Sequence, residues 1–443
     1  MKLSTQPYKG ARDFYPSDKR LQNYIFETWR RVAERYGYEE YDAPILELTE
    51  IYTAKSGEEI VDQQTYRFTD RGGRDVAIRP EMTPTVSRMV AGQRQELAYP
   101  ARWYSIPNLW RYERPQHGRL REHWQLNVDV FGIATVDAEL ELIMLANDIM
   151  KAFGAKEDMF NIKINSRKLT ALIMADYLEL DAVQSHMMVK LLDRKDKIPA
   201  ETFESEAGTI FTASQKAEGV EKLKKMINAK SMADLPEELL DNEHVKEVQI
   251  LFTHLKENGI RNASFDVALM RGFDYYTDIV FEVYDNHPDN NRSMFGGGRY
   301  DGLVGMFGVE PVPTAGFGMG DVTMQNFLET HELMPELKST TDVYLIPIGE
   351  TLRQVQGIAK IMREEGVNVA VDTTDRKIDK QIKNADKNAI RYVMFVGEDE
   401  LNSEQFKLKD MDSGEELEVS LERAISMVVD RRHREEDIEA AIA

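Results

Sequence analysis

Cysteine is absent from the 443 residues, which removes disulfides and thiolate metal centres outright. Histidine is scarce, eight in all, and no pair has the H-x₃-H or HExxH spacing of a metal site, so no side-chain metal site is expected. Cationic residues are outnumbered: 56 Lys and Arg face 77 Asp and Glu, a formal charge of −21. That balance excludes non-specific coating of DNA or of an anionic membrane, which needs an excess of basic groups, but leaves room for a specific nucleic-acid partner met by local basic patches. No uncharged apolar run approaches the ~20 residues of a membrane span. The opening Met1-Lys2-Leu3-Ser4-Thr5-Gln6-Pro7 lacks the apolar core of a signal peptide. A soluble cytoplasmic protein is expected.

What is present is ordinary globular composition, 42% hydrophobic and 30% charged, in a chain with room for roughly two to four domains. Residues 18–36 carry the stripe Leu21, Tyr24, Ile25, Thr28, Val32 and Tyr36 of a half-buried helix, and Gly37 stops it. Leu142, Leu145, Ala146, Ile149, Met150 and Phe153 repeat at helical spacing up to Gly154. Alternating stretches between the two predict a mixed sheet with flanking helices. Residues 170–260 turn Lys-, Glu-, Met- and Leu-rich and helical, and the sheet pattern then resumes, so the domain 1–169 and 261–335 is interrupted by a helical insertion. A charged linker leads to strands alternating with helices over residues 340–430, a small α/β domain, and 431–443 form a charged tail.

Five stretches carry chemistry. Arg271-Gly272-Phe273-Asp274-Tyr275-Tyr276 follows an alternating run at Phe265, Val267 and Leu269. An arginine delivered there suits a transferring phosphate; an ion-paired hairpin with buried tyrosines fits the run as well. Residues 123–131 alternate Trp124, Leu126, Val128 and Val130 with His123, Gln125, Asn127 and Asp129. The second set lacks the Lys, Glu and Thr of a solvated strand and reads as one wall of a polar pocket. Upstream, Arg111-Tyr112-Glu113-Arg114-Pro115-Gln116-His117-Gly118-Arg119-Leu120-Arg121 turns between a strand over 103–113 and the pocket strand, a local positive site suited to phosphate. A strand over 75–83 sets Ala77, Arg79, Glu81 and Thr83 on one side, with Glu81 and Thr83 able to hold an ammonium group. Gly296-Gly297-Gly298-Arg299-Tyr300-Asp301-Gly302 permits close backbone approach but has no Walker lysine. Phosphate clamps, an ammonium site and a polar side-chain pocket on one sheet are what activation of an amino acid by a nucleotide requires.

These residues resemble the histidyl-tRNA synthetase family, of the class II aminoacyl-tRNA synthetases, over nearly the whole chain. Gly10-Ala11-Arg12-Asp13-Phe14-Tyr15-Pro16 is similar to its N-terminal segment, the helix 18–36 to its dimer-forming first motif, and Arg79-Pro80-Glu81-Met82-Thr83 to its Arg-Pro-Glu-x-Thr. The arginine loop matches the second class motif, while the runs 271–276 and 297–302 match the two histidine-specific signatures. The resemblance implies an α+β catalytic domain with a class II antiparallel sheet and flanking helices, plus a C-terminal α/β anticodon-binding domain. It implies L-histidine, ATP with Mg²⁺ and tRNA(His) as partners, a homodimer, and neither membrane nor DNA binding. Glu81, Thr83 and Gln125 would hold the histidine ammonium; Asp129 and Tyr276 would face its imidazole, with Tyr275 and Tyr300 shaping the pocket. Arg111 would bind the α-phosphate, Glu113 and the loop with Arg119 would position ATP, and Arg271 would be the electrophilic catalyst. Gln116, Arg121, Lys377, Lys380 and Lys387 are the expected tRNA contacts, the lysines aligned with Gln381 and Asn384 along one helix face.

The chain departs from the family twice. Asp129 stands where the family has Glu, one methylene longer. In Gly316-Phe317-Gly318-Met319-Gly320-Asp321-Val322-Thr323, Thr323 replaces the arginine that clamps the γ-phosphate. That loss fits an alternative, a non-charging, histidine-binding regulatory subunit of histidine biosynthesis; the retained Arg111 and Arg271 and the C-terminal domain oppose it.

Overall fold

The computed structural model describes residues 3–53, 64–116, 118–195, 198–229, 231–269, 275–290, 292–374 and 376–442, without the side chains from 433 onward. The run Met270 to Asp274, and with it Arg271, lies outside the described residues, as does His117. The chain divides into two compact units, Met1–Met334 and Pro335–Ala443.

The first unit is built on a nine-stranded sheet. The twelve strands among its described residues, including three in a side sheet, are β1 (Glu39–Glu40), β2 (Leu46–Leu48), β3 (Tyr66–Thr69), β4 (Asp75–Ile78), β5 (Ala101–Ser105), β6 (Asn108–Trp110), β7 (Glu122–Phe131), β8 (Phe160–Ser166), β9 (Ala263–Phe265), β10 (Ile279–Asp285), β11 (Ser293–Arg299) and β12 (Thr314–Gly320). The main order is β1-β5-β7-β12-β11-β10-β8-β9, with β6 on β7; only the two outer pairs, β1 with β5 and β8 with β9, run parallel. Strands β2, β4 and β3 make the separate antiparallel sheet.

Alternation on β7 does what the sequence implies. Leu126, Val128 and Val130 are fully buried against Ile25, Trp29 and Val32 of the helix Pro16–Arg35 and Leu142, Leu145 and Ile149 of the helix Asp137–Ala152. Each such side chain taken from water contributes about 1.5–3 kcal/mol, so this face fixes the register of the opposite, polar one. The helices between Arg167 and Glu257 form a second core around Leu169, Ile173, Leu191, Leu223 and Val248, which Phe265 and Val267 join from the returning chain.

Three expected strands are shorter than the alternation predicts. The strand over 75–83 ends at Ile78, because Pro80 has no N–H for the ladder and Pro84 starts the helix Thr83–Gly92. That over 103–113 breaks at Pro107 into β5 and β6. Beyond Phe265 the chain turns: the Asp266 carboxylate accepts the Ala268 N–H at 3.0 Å and its carbonyl accepts the Leu269 N–H, so Val267 and Leu269 are buried but not in a strand.

The second unit holds a five-stranded sheet of β13 (Val343–Pro347), β14 (Val369–Val371), β15 (Tyr392–Val396), β16 (Phe406–Asp410) and β17 (Glu416–Val419), ordered β14-β13-β15-β16-β17. The three parallel strands are those expected; the antiparallel β16 and β17 are additions whose charged, exposed residues conceal them in the sequence. Among the described residues no helix is long and apolar enough to cross a membrane.

Candidate active site

The polar face of β7 opens on a cavity of about 410 Å³ in the first unit. Its floor is glycine. The register sets Gly316 opposite Asp129, Gly318 opposite Asn127 and Gly320 opposite Gln125, and Gly298 and Gly296 continue the row on β11. A Cβ on Gly318 would stand 1.6 Å from Gln125 Nε2; on Gly316 it would stand 2.2 Å from Asp129 Oδ1 and 2.6 Å from the Val128 carbonyl oxygen. Glycine there leaves the room in which the β7 side chains lie.

Glu81, Thr83, Arg111, Glu113, Arg119 and Gln125 line this cavity with Tyr275, Tyr276 and Tyr300, so nine of the expected residues come together from five separate stretches of sequence. The early end of the 75–83 strand does not separate Glu81 from Thr83: the bend at Pro80 turns both toward the sheet. Tyr275 donates its hydroxyl to Glu81 Oε2 at 3.0 Å. Arg111 donates Nε to the Pro80 carbonyl at 2.8 Å, which fixes the plane of its guanidinium beside the same bend. Burial, together with the Glu81 carboxylate, raises the pKa of Tyr275 and Tyr276, so both phenols stay protonated as donors. Enclosure lowers His123 to about 3, with Arg111 and Arg12 adding to the effect, and its imidazole is neutral.

Asp129 is placed differently from the expected wall position. It is 3% exposed and one layer behind the cavity surface, where Oδ1 accepts the Tyr300 hydroxyl in a short hydrogen bond. Its other oxygen, Oδ2, is buried with no hydrogen-bond partner among the described residues. Burial pushes this carboxyl up to about 7, against the opposing pull of the Tyr300 hydrogen bond. Sequence reasoning missed two neighbours. The Tyr41 hydroxyl and Ser105 Oγ are buried near each other, neither with a well-formed hydrogen bond among the described residues, and Tyr41, raised by burial and by the Asp129 charge against the opposing pull of Ser105, stands close to that carboxylate. Neither has a signal in the sequence, since Tyr41 sits in a loop and Ser105 reads as an ordinary strand residue. Glu282 also lines the cavity; a carboxylate in the middle of the largely apolar strand β10 is the sign that marks it.

Gln116 and Arg121 lie away from the cavity. Gln116 and Arg119 exchange backbone hydrogen bonds across the turn of the arginine loop. Arg121 folds over the Tyr112 ring at 3.9 Å and donates to the Tyr8 hydroxyl at 2.9 Å. In the second unit Lys377, Lys380 and Lys387 are exposed on and before the helix Ile378–Lys387. Gln381 and Asn384 do not extend their row: Gln381 is buried and donates to the Arg376 carbonyl at 2.7 Å, and Asn384 donates to the Tyr344 hydroxyl at 3.0 Å. Both serve the domain's own packing. Among the described residues no group of three or more His, Asp or Glu is placed to hold a metal ion.

Comparison with known proteins agrees with this geometry. The family model described as histidyl-tRNA synthetase matches residues 10–321, and that of an anticodon binding domain matches 342–431. A histidine–tRNA ligase of Leptospira biflexa is 44% identical over 431 residues, 96% of this chain and 98% of that one. One from Thermoplasma volcanium is 35% identical over 95% of this chain and 97% of its own. Among solved structures, a histidyl-tRNA synthetase from Nostoc sp. PCC 7120 has the same fold, with a TM-score of 0.82 over 97% of this chain and all of that one, at 24% identity. A Bacillus halodurans C structure titled as an ATP phosphoribosyltransferase regulatory subunit/histidyl-tRNA synthetase shares it at a TM-score of 0.74 and 22% identity, over 90% of this chain and 99% of that one.

Proposed function

We infer the chemistry from the premise that this chain belongs to the histidyl-tRNA synthetase family, on the matched residues and the 44% identity over nearly its full length. It activates L-histidine with ATP and transfers the histidyl group to the 3′ end of tRNA(His). The carrying observation is the cavity, in which an acid–hydroxyl pair, phenols and two arginines converge on a glycine floor.

Glu81, Thr83 and Gln125 hold the ammonium group, the carboxylate supplying charge and the amide direction. Arg111 holds the α-phosphate, while Glu113 and Arg119 position the rest of ATP. The histidine carboxylate oxygen attacks the α-phosphorus, the bond to the β-phosphate oxygen breaks, and pyrophosphate leaves. Arg271 is assigned the stabilisation of charge at that phosphorus from its sequence context. The tRNA ribose hydroxyl then attacks the histidyl carbonyl and AMP departs. Glu113 and Glu282 are the remaining cavity-lining carboxylates among the described residues, which hold no dedicated acidic cage, so a Mg²⁺ would be carried chiefly by the substrate phosphates and would neutralise their charge. The matched anticodon-binding domain supports charging over the regulatory alternative, and exposed Lys377, Lys380 and Lys387 are the proposed tRNA contacts there. The domain limits proposed are those of the sequence, with 170–260 as the insertion. Leu46, Leu48 and Phe68 are more than two-fifths exposed on the face of the β2–β4–β3 sheet, and a second copy of the chain covering them is the proposed dimer contact; a monomer on a sizing column would contradict it.

Asp129 is proposed to act on the imidazole through Tyr300. A hydroxyl that donates to a carboxylate turns its lone pairs outward, ready to accept an imidazole N–H. The folded pKa of about 7 lies above the ordinary value near ~3.9, so the proton stays on through the acid range and leaves as pH rises across about 7. The apparent KM for histidine is therefore expected to fall as pH rises through that point. Asp129→Asn removes this component and leaves only the dependence due to histidine itself; an unchanged profile in the variant contradicts the assignment. Charging of tRNA(His) with labelled histidine tests the whole reading: acid-precipitable histidine is expected, and histidine binding without charging would favour the regulatory reading instead.

A further inference from the structure

Thr323 stands where the family resemblance calls for an arginine, and its side chain turns inward, Oγ1 donating to the Gly320 carbonyl at 3.0 Å. Arg12 is committed elsewhere. It donates to Asp321 Oδ2 at 2.6 Å, neutralising a carboxylate that is 3% exposed and also accepts the Trp124 N–H. The end of the cavity lined by Gly118, Arg119 and Thr323 still has to receive the far phosphates of ATP.

Arg292 stands at that end. A Cβ built on Gly118 would lie 3.4 Å from Arg292 Nη1 and 4.0 Å from Thr323 Cγ2, so the guanidinium and the threonine methyl flank one glycine. Arg292 is exposed. Its backbone is not loose: the N–H donates to the Asn290 carbonyl at 2.7 Å, and its carbonyl accepts from Asp285 N at 3.3 Å. Asp285 is fully buried, takes Asn290 Nδ2 at 2.7 Å, and bonds His331 Nε2 at 2.7 Å. His331 directly follows the helix Asp321–Thr330, which begins with Asp321 and carries Thr323. The turn between β10 and β11 is thereby tied to the C-terminal end of that helix, and the Arg292 side chain lies along it toward Asn326 and Thr323, which with Arg292 surround Gly118.

We propose that Arg292 supplies the cationic contact to the terminal phosphate of ATP, reaching from the β10–β11 turn into the place that Thr323 leaves vacant. The inference rests on the nucleotide reading of the cavity given above. A guanidinium suits a phosphate through paired N–H donors, and a rim position suits the end of the triphosphate that departs as pyrophosphate. The short threonine is part of the arrangement. An arginine at 323 would bring a second cation against the same glycine, so the two positions are alternative sources of one charge.

The test compares ATP and AMP binding to the full chain by calorimetry with Mg²⁺ present. Arg292→Ala is expected to weaken ATP roughly ten- to hundredfold, the range for a hydrogen bond to a charged group, and to leave AMP, which lacks the terminal phosphate, unchanged. Arg292→Lys should recover part of the loss, and adding Thr323→Arg to Arg292→Ala should recover most of it. Unchanged ATP affinity in Arg292→Ala overturns the proposal, as does an equal weakening of AMP, which would mark a structural role. Failure of the functional reading shows separately: the parent chain would then bind neither nucleotide, or bind ATP without histidine-dependent exchange of pyrophosphate.

Discussion

Arg111→Ala is expected to lower histidyl-adenylate formation by about two to three orders of magnitude, the usual loss when a preorganised donor to developing charge is removed. The residue is not a surface cation that water replaces. Its Nε is fixed on the Pro80 carbonyl at 2.8 Å, so the orientation of the guanidinium is set by the same bend that places Glu81 and Thr83. Histidine affinity should change much less, because the proposed ammonium and imidazole contacts lie on other residues. Single-turnover adenylate formation, with histidine binding measured alongside, checks both halves. A rate within a few-fold of the parent would show that Arg111 does not meet the α-phosphate.

Arg299→Ala should cost stability rather than chemistry alone, about 3–5 kcal/mol in the first unit, the range for breaking a buried ion pair by removing one partner. Arg299 is 4% exposed and grips Glu139 with two bonds, Nε to Oε1 at 2.6 Å and Nη2 to Oε2 at 2.7 Å, and it also caps the Ile133 and Thr135 carbonyls. Glu139 is fully buried, and burial raises its carboxyl pKa even with the guanidinium beside it. Left unpaired, it would be a charge with no solvent. The next residue is Tyr300, so the loss should also loosen the Tyr300–Asp129 bond and weaken histidine binding. Thermal unfolding of the first unit's transition measures the stability term. Replacing both partners by apolar residues of similar volume should restore much of it, and a loss under about 1 kcal/mol in the single variant would contradict the argument.

Arg299 also shows what the sequence can and cannot carry. It sits in a glycine-rich signature beside Tyr300, yet the strand period points the two to opposite sides, one to the cavity and one to a helix 160 residues away in sequence. The pocket wall on β7 was legible because alternation with a fully buried apolar face leaves no freedom of register. The helices 16–35 and 137–152 and the parallel strands of the second unit were legible for the same reason, each having one strongly apolar face. Strand ends were not: Pro80 and Pro107 stop ladders that side-chain alternation would continue. Tyr41, Ser105 and Arg292 were silent because what distinguishes them is proximity, to Asp129 in one case and to Thr323 in the other, across elements remote in the chain. Gln381 and Asn384 misled in the opposite sense, polar residues spent on internal bonds.

The central claim is that this cavity joins histidine to AMP, and pyrophosphate exchange tests it most directly. Purified chain with Mg²⁺, ATP and labelled pyrophosphate should form labelled ATP when L-histidine is added, without tRNA, and should not do so with other amino acids. No histidine-dependent exchange at saturating histidine would contradict the account.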